Sequence, residues 1–371
     1  MIARALPVCQ DAFLYNPSVK TWDVIIIGAG IIGLSLAISL RKQGLRVLVV
    51  ERGEPGREAS YAAAGMLAPR GTETPPALRS LAAESARMYP EFVHELQDES
   101  GMKVDFREQG TILLSSNSDF PTAAEALSLD DLHSFEPELA IERICSQNLR
   151  AVLMDERSVD PRLLTAAAIK AARHREVDIS SGTEVKCVLV SGDRAIGVQT
   201  ERTSYSAETV VNCAGAWAGT VPPHQFPVRP VKGQMLAVVQ GPALRHVVRS
   251  DKVYVVPRSD GRLVIGSTLE NADYNKDINV NTIQSLFQAA VELLPGLEKS
   301  KKHDAWAGLR PGTPDHLPIL GETSTRKYFA ASGHYRDGIL LAPITADAMT
   351  SVILDRTLGF DLANFSPLRF E

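Results

Sequence analysis

The sequence predicts an α/β chain with α+β insertions: a Rossmann-like nucleotide-binding domain interrupted by a second domain built on a mixed sheet. Three observations carry this reading. Residues 22–52 (WDVIIIGAGIIGLSLAISLRKQGLRVLVVER) hold an apolar run, a GxGxxG turn, a helical stretch and a second apolar run, which together make a complete strand, helix, strand unit. Residues 104–116 and 226–270 alternate as strands do, with Asp260-Gly261 as a hairpin signal between VYVVPRS and RLVIGST. The 371 residues exceed the roughly 250–300 at which a single core stops growing.

The first unit has a defined chemistry. Gly28 makes the tight turn, Gly30 lets backbone approach a pyrophosphate, and Gly33 lets helix and strand pack closely. The helix N-terminus offers unpaired N–H groups and a partial positive charge to phosphates. Glu51 ends the second strand, where a carboxylate accepts from both hydroxyls of an adenosine ribose and repels a 2′-phosphate. A dinucleotide is therefore expected, with NADP disfavoured, over the purely structural reading of a Gly-rich turn. Ser35 falls inside the helix and makes no nucleophile elbow.

An NAD domain would continue directly into another strand and helix. Residues 53–70 (GEPGREASYAAAGMLAPR) instead place small residues at Ala59, Ser60, Ala62, Ala63, Ala64 and Gly65, with no period-2 pattern. Small side chains permit close backbone approach to an extended ligand. The same run also suits a short Ala-rich helix packed in the core. Further on, a helix is expected at 160–174, YFAASG (328–333) reads as a strand into a turn, and Pro343 opens a helix, where proline is tolerated.

Composition excludes several classes. The chain is 44% hydrophobic and 22% charged with a net charge of −5, so neither disorder nor a basic surface for nucleic acid or anionic membrane is expected. Lys302 and His303 beside Lys299 and Lys301 read as a solvated helix end or loop. Cys9, Cys145, Cys187 and Cys213 lack CxxC spacing, which points away from zinc or a disulfide framework and toward a reducing compartment. The eight histidines lack metal-ligand spacing, so no metal is expected. No apolar run approaches the ~18 residues of a membrane span, and residues 1–20 make a poor signal peptide, which leads to a cytoplasmic expectation.

Four blocks, DVIIIGAGIIGLSLA, GREASYAAAGMLAP, VYVVPRSDGRLVIGST and the pair WAGLRPGTPDHLPILG with GHYRDGILLAPIT, resemble the glycine oxidases of thiamine biosynthesis. These belong to the D-amino-acid oxidase and sarcosine oxidase group of flavoproteins. The resemblance spans about 22–355 and implies a FAD-binding domain of the glutathione-reductase/D-amino-acid-oxidase type with a mixed-sheet substrate domain. The expected boundaries are 1–20 for an N-terminal extension, 21–90, 155–220 and 315–371 for FAD binding, and 91–154 with 221–314 for substrate.

The resemblance implies non-covalent FAD, because sarcosine oxidases attach it through a cysteine before a TPD motif and AGLRPGTPD has none. Beyond the three glycines, Ile31, Ile32, Glu51, Arg52, Ala59 and Ser60 would line the cofactor, as would Ala64, Gly65 and Met66. Val185 matches the family's adenine-side backbone contact. The turn of His334, Tyr335, Arg336, Asp337, Gly338, Ile339 and Leu340 would lie along the flavin. Arg310 matches the arginine that holds the substrate carboxylate, a task suited to its fork of donors. Tyr254 matches the tyrosine that donates to the same group, and Arg336 an arginine that closes the pocket. In isolation an arginine more often forms a protein salt bridge, and a strand tyrosine is more often core. Leu269 departs from the family's Met at a pocket position, with little change of volume.

The implied reaction is hydride transfer from the α-carbon of a small amino acid to flavin N5, with no obligatory side-chain base. The imine is hydrolysed to a 2-oxo acid and ammonia or passed to thiazole assembly, and oxygen, or another acceptor, is reduced. A D-amino acid or N-methyl amino acid dehydrogenase is the alternative, and a catalytically silent flavoprotein a remote one. The family includes tetramers and monomers, so a homo-oligomer stays open.

Overall fold

The computed structural model describes residues 21–69, 74–116 and 126–370. The expected extension 1–20, with Cys9, lies outside them. The chain begins with β1 (Thr21–Ile27), α1 (Ile31–Lys42), β2 (Val47–Val50), the four-residue α2 (Ala59–Ala62) and β3 (Met66–Leu67). Next come α3 (Arg79–Ser100), β4 (Phe106–Arg107), β5 (Thr111–Ser115), α4 (Leu129–Phe135), α5 (Ile141–Ser146), β6 (Arg150–Met154) and β7 (Arg157–Val159). After α6 (Pro161–His174) run β8 (Asp178–Ser180), β9 (Val185–Ser191), β10 (Arg194–Thr200), β11 (Ser204–Asn212) and β12 (Arg229–Val239). The chain ends through β13 (Val247–Ser250), β14 (Tyr254–Pro257), β15 (Leu263–Gly266), α7 (Val280–Leu293), β16 (Lys301–Gly312), β17 (Ile319–Glu322), β18 (Tyr328–Ser332) and α8 (Ala342–Ile353).

The first sheet has eight strands in the order β17-β18-β11-β1-β2-β8, with β10 and β9 continuing from β11. Its central strands β18, β11, β1, β2 and β8 are parallel. Both faces are covered, which is why β1 and β2 read as continuous apolar runs. Alternate residues serve different cores. Val24, Ile26, Val47 and Val49 pack with α1, α3, α6 and α8, while Ile25, Ile27, Leu48 and Val50 pack with β9 and β10 residues. The carboxyl ends of β1, β2, β11 and β18 therefore open on one edge, the usual ligand side of such a sheet.

The second sheet has seven strands in the order β16-β12-β15-β14-β13-β5-β6. One face packs on α7, whose Ile283, Leu286 and Phe287 meet Leu236, Val255 and Ile265. The other carries Met235, Ala237, Val256 and Val264 against Ala64. A third sheet has the order β3-β7-β4. Helix boundaries follow local chemistry. Asp160 caps α6 by accepting from Arg162 N (2.8 Å) with Pro161 next to it, and Asn279 caps α7 through Thr282 N (3.1 Å).

Two expectations need correction. Lys301–His303 belong to no loop: they open β16, which among the described residues pairs with β12 alone, and exposed lysines suit a sheet edge. Cys187 is disulfide-bonded, whereas Cys145 and Cys213 are free. Spacing could not reveal it, because pairing between distant cysteines is set by the fold.

The small-residue run resolves into α2 followed by an extended segment that turns at Gly65. Gly65 has φ +74°, and a Cβ there would lie 2.0 Å from Val159 O. Gly65→Ala therefore combines a left-handed backbone with a clash against main chain. A loss of about 2 kcal/mol or more is expected, read as a lower urea midpoint of the cofactor-free protein. An unchanged midpoint would show that the segment relaxes freely.

Candidate active site

A cavity of about 970 Å³ lies between the carboxyl edge of the first sheet and the apolar face of the second. Its first wall is backbone-rich. Gly28, Gly30, Ile31 and Ile32 come from the turn into α1, Glu51 and Arg52 follow β2, and Ala59, Ser60 and Ala62–Met66 form the small-residue run. Val185 opens β9 at one end, and the turn His334–Ile339 after β18 closes the other. All the sequence-predicted positions meet on this cavity except two. Gly33 sits behind the wall, where a Cβ would lie 2.1 Å from Gly28 O, so it serves helix packing. Leu340 is buried, and its carbonyl accepts from Ser85 Oγ (2.6 Å).

The geometry of this wall suits an anionic dinucleotide. Gly30 gives α1 no side-chain cap and the first turn holds no acidic residue, so the first-turn amides beyond Ile31 are left to an anion. Ser60 Oγ accepts from Ile31 N (2.9 Å) and pins the small-residue run beside that turn. The Glu51 carboxylate is buried and oriented by Ala29 N (2.8 Å) and Gly53 N (2.9 Å), which use two of its roughly four acceptor sites. At the same end the Arg52 guanidinium lies 3.4 Å above the Trp217 ring and pairs with Glu58 (3.2 Å). Cys213 also lines the cavity, but burial pushes its thiol pKa well up, so it holds no nucleophilic thiolate.

The second wall holds the substrate candidates. Arg310 Nη2 donates to Ser267 Oγ (2.6 Å) and Nη1 to Thr268 O (3.2 Å). Its guanidinium crosses Gly233, where a Cβ would lie 2.3 Å from Nη1, so the facing glycine makes room for it. The Tyr254 ring crosses Gly266 in the same way, with a Cβ there 2.6 Å from its hydroxyl. Arg310 and Tyr254 thus converge on the Gly266–Ser267 turn. That turn is held from behind: Thr268 Oγ1 accepts from Gln234 N (2.8 Å) and donates to Glu270, which also accepts from Gln234 Nε2 (2.9 Å). Burial alone would raise the Glu270 carboxyl, but these hydrogen bonds and nearby Lys232 bring it below its ordinary value. Arg336 reaches the cavity from the facing turn, its guanidinium 5.3 Å from the Tyr335 ring, and Leu269 lines the mouth at 55% exposure.

Two groups stand out among the lining residues that sequence reasoning missed. One is Cys213–Trp217 after β11, signalled by the same small-residue habit in Ala214-Gly215-Ala216. The other is Leu113 with Arg249–Val253, for which no local pattern exists. Among the described residues no cluster of three or more His, Cys, Asp or Glu could hold a metal, and no helix is long and apolar enough to cross a membrane.

Comparison with known proteins agrees with this geometry. The model of the FAD-dependent oxidoreductase family matches residues 23–352. A bifunctional ThiO/ThiG protein of Synechocystis is 36% identical over 94% of this chain and 54% of its own length. The chain thus spans about half of that relative. A Pseudomonas aeruginosa glycine oxidase is 34% identical over 93% of this chain and 98% of its own. The crystal structure of glycine oxidase from Geobacillus kaustophilus superposes with a TM-score of 0.88 at 30% identity, covering 95% of this chain and 99% of that one. With the family model matched along most of its length and a full-length relative 34% identical, the chain belongs to the FAD-dependent oxidoreductases.

Proposed function

We propose that the protein oxidises glycine and other small amino acids, with oxygen as acceptor, and that its imine product can serve thiazole assembly in thiamine biosynthesis. The single observation that carries this is the convergence of Arg310 and Tyr254 on one turn facing the dinucleotide wall. In this reading the first sheet, with 21–90, 155–220 and 315–371, is the FAD domain. Segments 91–154 and 221–314 form the substrate domain. FAD supplies the two-electron acceptor and the route to oxygen. The residues supply position: Arg310 pairs with the substrate carboxylate, Tyr254 Oη donates to it, and the α-carbon is directed at the cofactor wall. The net change is amino acid, water and oxygen to 2-oxo acid, ammonia and hydrogen peroxide.

Protonation on the facing turn supports a mechanism without an imidazole acid. Burial pushes the His334 pKa down to about 3, with Nε2 3.1 Å from Thr345 Oγ1, so the ring stays neutral at working pH. Burial pushes the Asp337 carboxyl up to about 6, with Arg336 opposing.

Purified holoenzyme should release peroxide with glycine, sarcosine or D-alanine in a coupled assay. Absence of peroxide together with no anaerobic bleaching of the flavin by any of them would remove the amine oxidase reading. Arg310→Ala should retain flavin absorbance and lower kcat/KM for glycine by roughly 30-fold or more, since truncating a charge-paired arginine costs about 2–5 kcal/mol. A value within threefold of the parent would remove Arg310 from carboxylate binding. Asp337 also makes a pH prediction. Between about 4 and 6 the folded protein keeps a proton that the unfolded chain has lost, so this group's stabilising contribution falls as pH rises through that window and is level above it. In cofactor-free protein, Asp337→Asn should therefore gain stability relative to the parent from about pH 4 to 6. A constant difference across that range would contradict a raised carboxyl.

A further inference from the structure

The cavity-facing row of the second sheet can be followed strand by strand. Trp306, Met235, Gly266, Tyr254, Arg249 and Leu113 are successive register partners across β16, β12, β15, β14, β13 and β5. Directly opposed residues carry side chains on one face, with Cα atoms about 5 Å apart. Arg249 is thus the immediate neighbour of Tyr254 in a row that is otherwise apolar, aromatic or glycine, and it lines the cavity. Its guanidinium has Glu156 beside it, Nη2 to Oε1 at 3.4 Å, beyond the usual range of a charge-assisted bond. Glu156 is 3% exposed, and its Oε2 has no hydrogen-bond partner among the described residues. Glu156 offsets the charge of Arg249 without using up its five donors. Lys252 also lines this side, whereas the Asp251 carboxylate is engaged by Ser115 Oγ at 3.1 and 3.2 Å. Arg310 and Tyr254 already account for one carboxylate.

We propose that Arg249 is a second anion-binding position in the substrate pocket, and that the preferred substrates are small amines carrying two acid groups. One carboxylate sits on Arg310 and Tyr254, and the other acid group on Arg249. This deepens the amine oxidase reading and rests on it. The second acid can be carried on nitrogen, as in iminodiacetate, or on the α-carbon, as in D-aspartate. For iminodiacetate the balance is complete. One methylene C–H bond gives up a hydride as the carbon–nitrogen double bond forms, water splits the imine to glyoxylate and glycine, and oxygen takes the two electrons to give hydrogen peroxide.

The test compares each acid with its uncharged isostere on the holoenzyme: iminodiacetate with its monoamide, and D-aspartate with D-asparagine. At least one acid should exceed its amide tenfold or more in kcat/KM, and the pair that does so identifies where the second acid is carried. Arg249→Met should lower that ratio at least tenfold, and Arg249→Lys should restore part of it. Ratios near one in the parent, or a ratio unchanged in Arg249→Met, would make Arg249 only the counterion of Glu156 and overturn the proposal. Should Arg249→Met fail to fold, the parent ratios and Arg249→Lys still decide. Diglycolate, which has oxygen in place of nitrogen and gives up no hydride in this way, separates the two levels. If no amine reduces the flavin, the oxidase reading fails, while tighter perturbation of the flavin spectrum by diglycolate than by its monoamide, lost in Arg249→Met, still supports the anion site. Equal perturbation by both would remove it.

Discussion

One buried guanidinium ties the second sheet to the small-residue run and to the start of α6. Arg258, 5% exposed, leaves the end of β14 and donates Nη1 to Val159 O (3.1 Å) and Nη2 to Ala64 O, with Asp160 Oδ2 3.9 Å from Nε. Burial lowers its pKa, and Asp160 and Asp105 oppose that shift. An arginine has no neutral form to retreat to, so the charge has to be met where it lies. The carbonyls and the carboxylate meet it. Asp160 caps α6 and also pairs with Arg262 (2.9 Å), so the β14–β15 hairpin, the start of α6 and the small-residue run are fixed by one set of contacts. Trp306 Nε1 adds a bond to Ala62 O (3.1 Å) from β16.

With that run anchored from the substrate side, its side chains have little space left to fill. Gly308 shows the tolerance: a Cβ there would lie 2.3 Å from Ala62 Cβ, so β16 approaches α2 only because both residues are small. Any larger residue at Gly308, cysteine included, would collide with Ala62 unless α2 or β16 moved. The same economy recurs at Gly233 beneath Arg310 and Gly266 beneath Tyr254. Alanine and glycine on both walls let backbone and two long polar side chains define the site.

Legibility in the sequence follows from whether a requirement is local. The GxGxxG turn, Glu51 and the Asp260-Gly261 hairpin were readable because φ angles and strand ends restrict residue type within a few positions. The run at 59–66 was half readable: composition showed smallness, but only packing against β16 and Arg258 separates a ligand wall from a core helix. Only resemblance singles out Arg310 and Tyr254 as substrate candidates, since a lone arginine or tyrosine in a strand has no periodic signature, and the structure adds that both line the cavity. Nothing in the sequence places Arg249 on the cavity. Its neighbours across the cavity row range from Leu113 to Trp306 in the chain, and that register exists only once the sheet has formed.

Three arginines on one face of the second sheet show why residue type alone could not assign roles. Register places Arg249, Arg258 and Arg310 on the same side as Tyr254 and Trp306. Arg258 donates to two backbone carbonyls in a closed interior, with a carboxylate 3.9 Å from Nε to balance its charge, so its two terminal nitrogens are engaged by main chain. Arg310 meets a hydroxyl and one carbonyl, neutral partners that hold its orientation without cancelling its charge, which leaves it suited to an incoming anion. Arg249 meets a carboxylate at long range, so its charge is balanced while its donors are not. On this sheet the proposed recognition guanidinia therefore differ from the structural one in the atoms they face: the terminal nitrogens of Arg258 meet main-chain carbonyls in a closed interior, whereas Arg310 and Arg249 border the cavity.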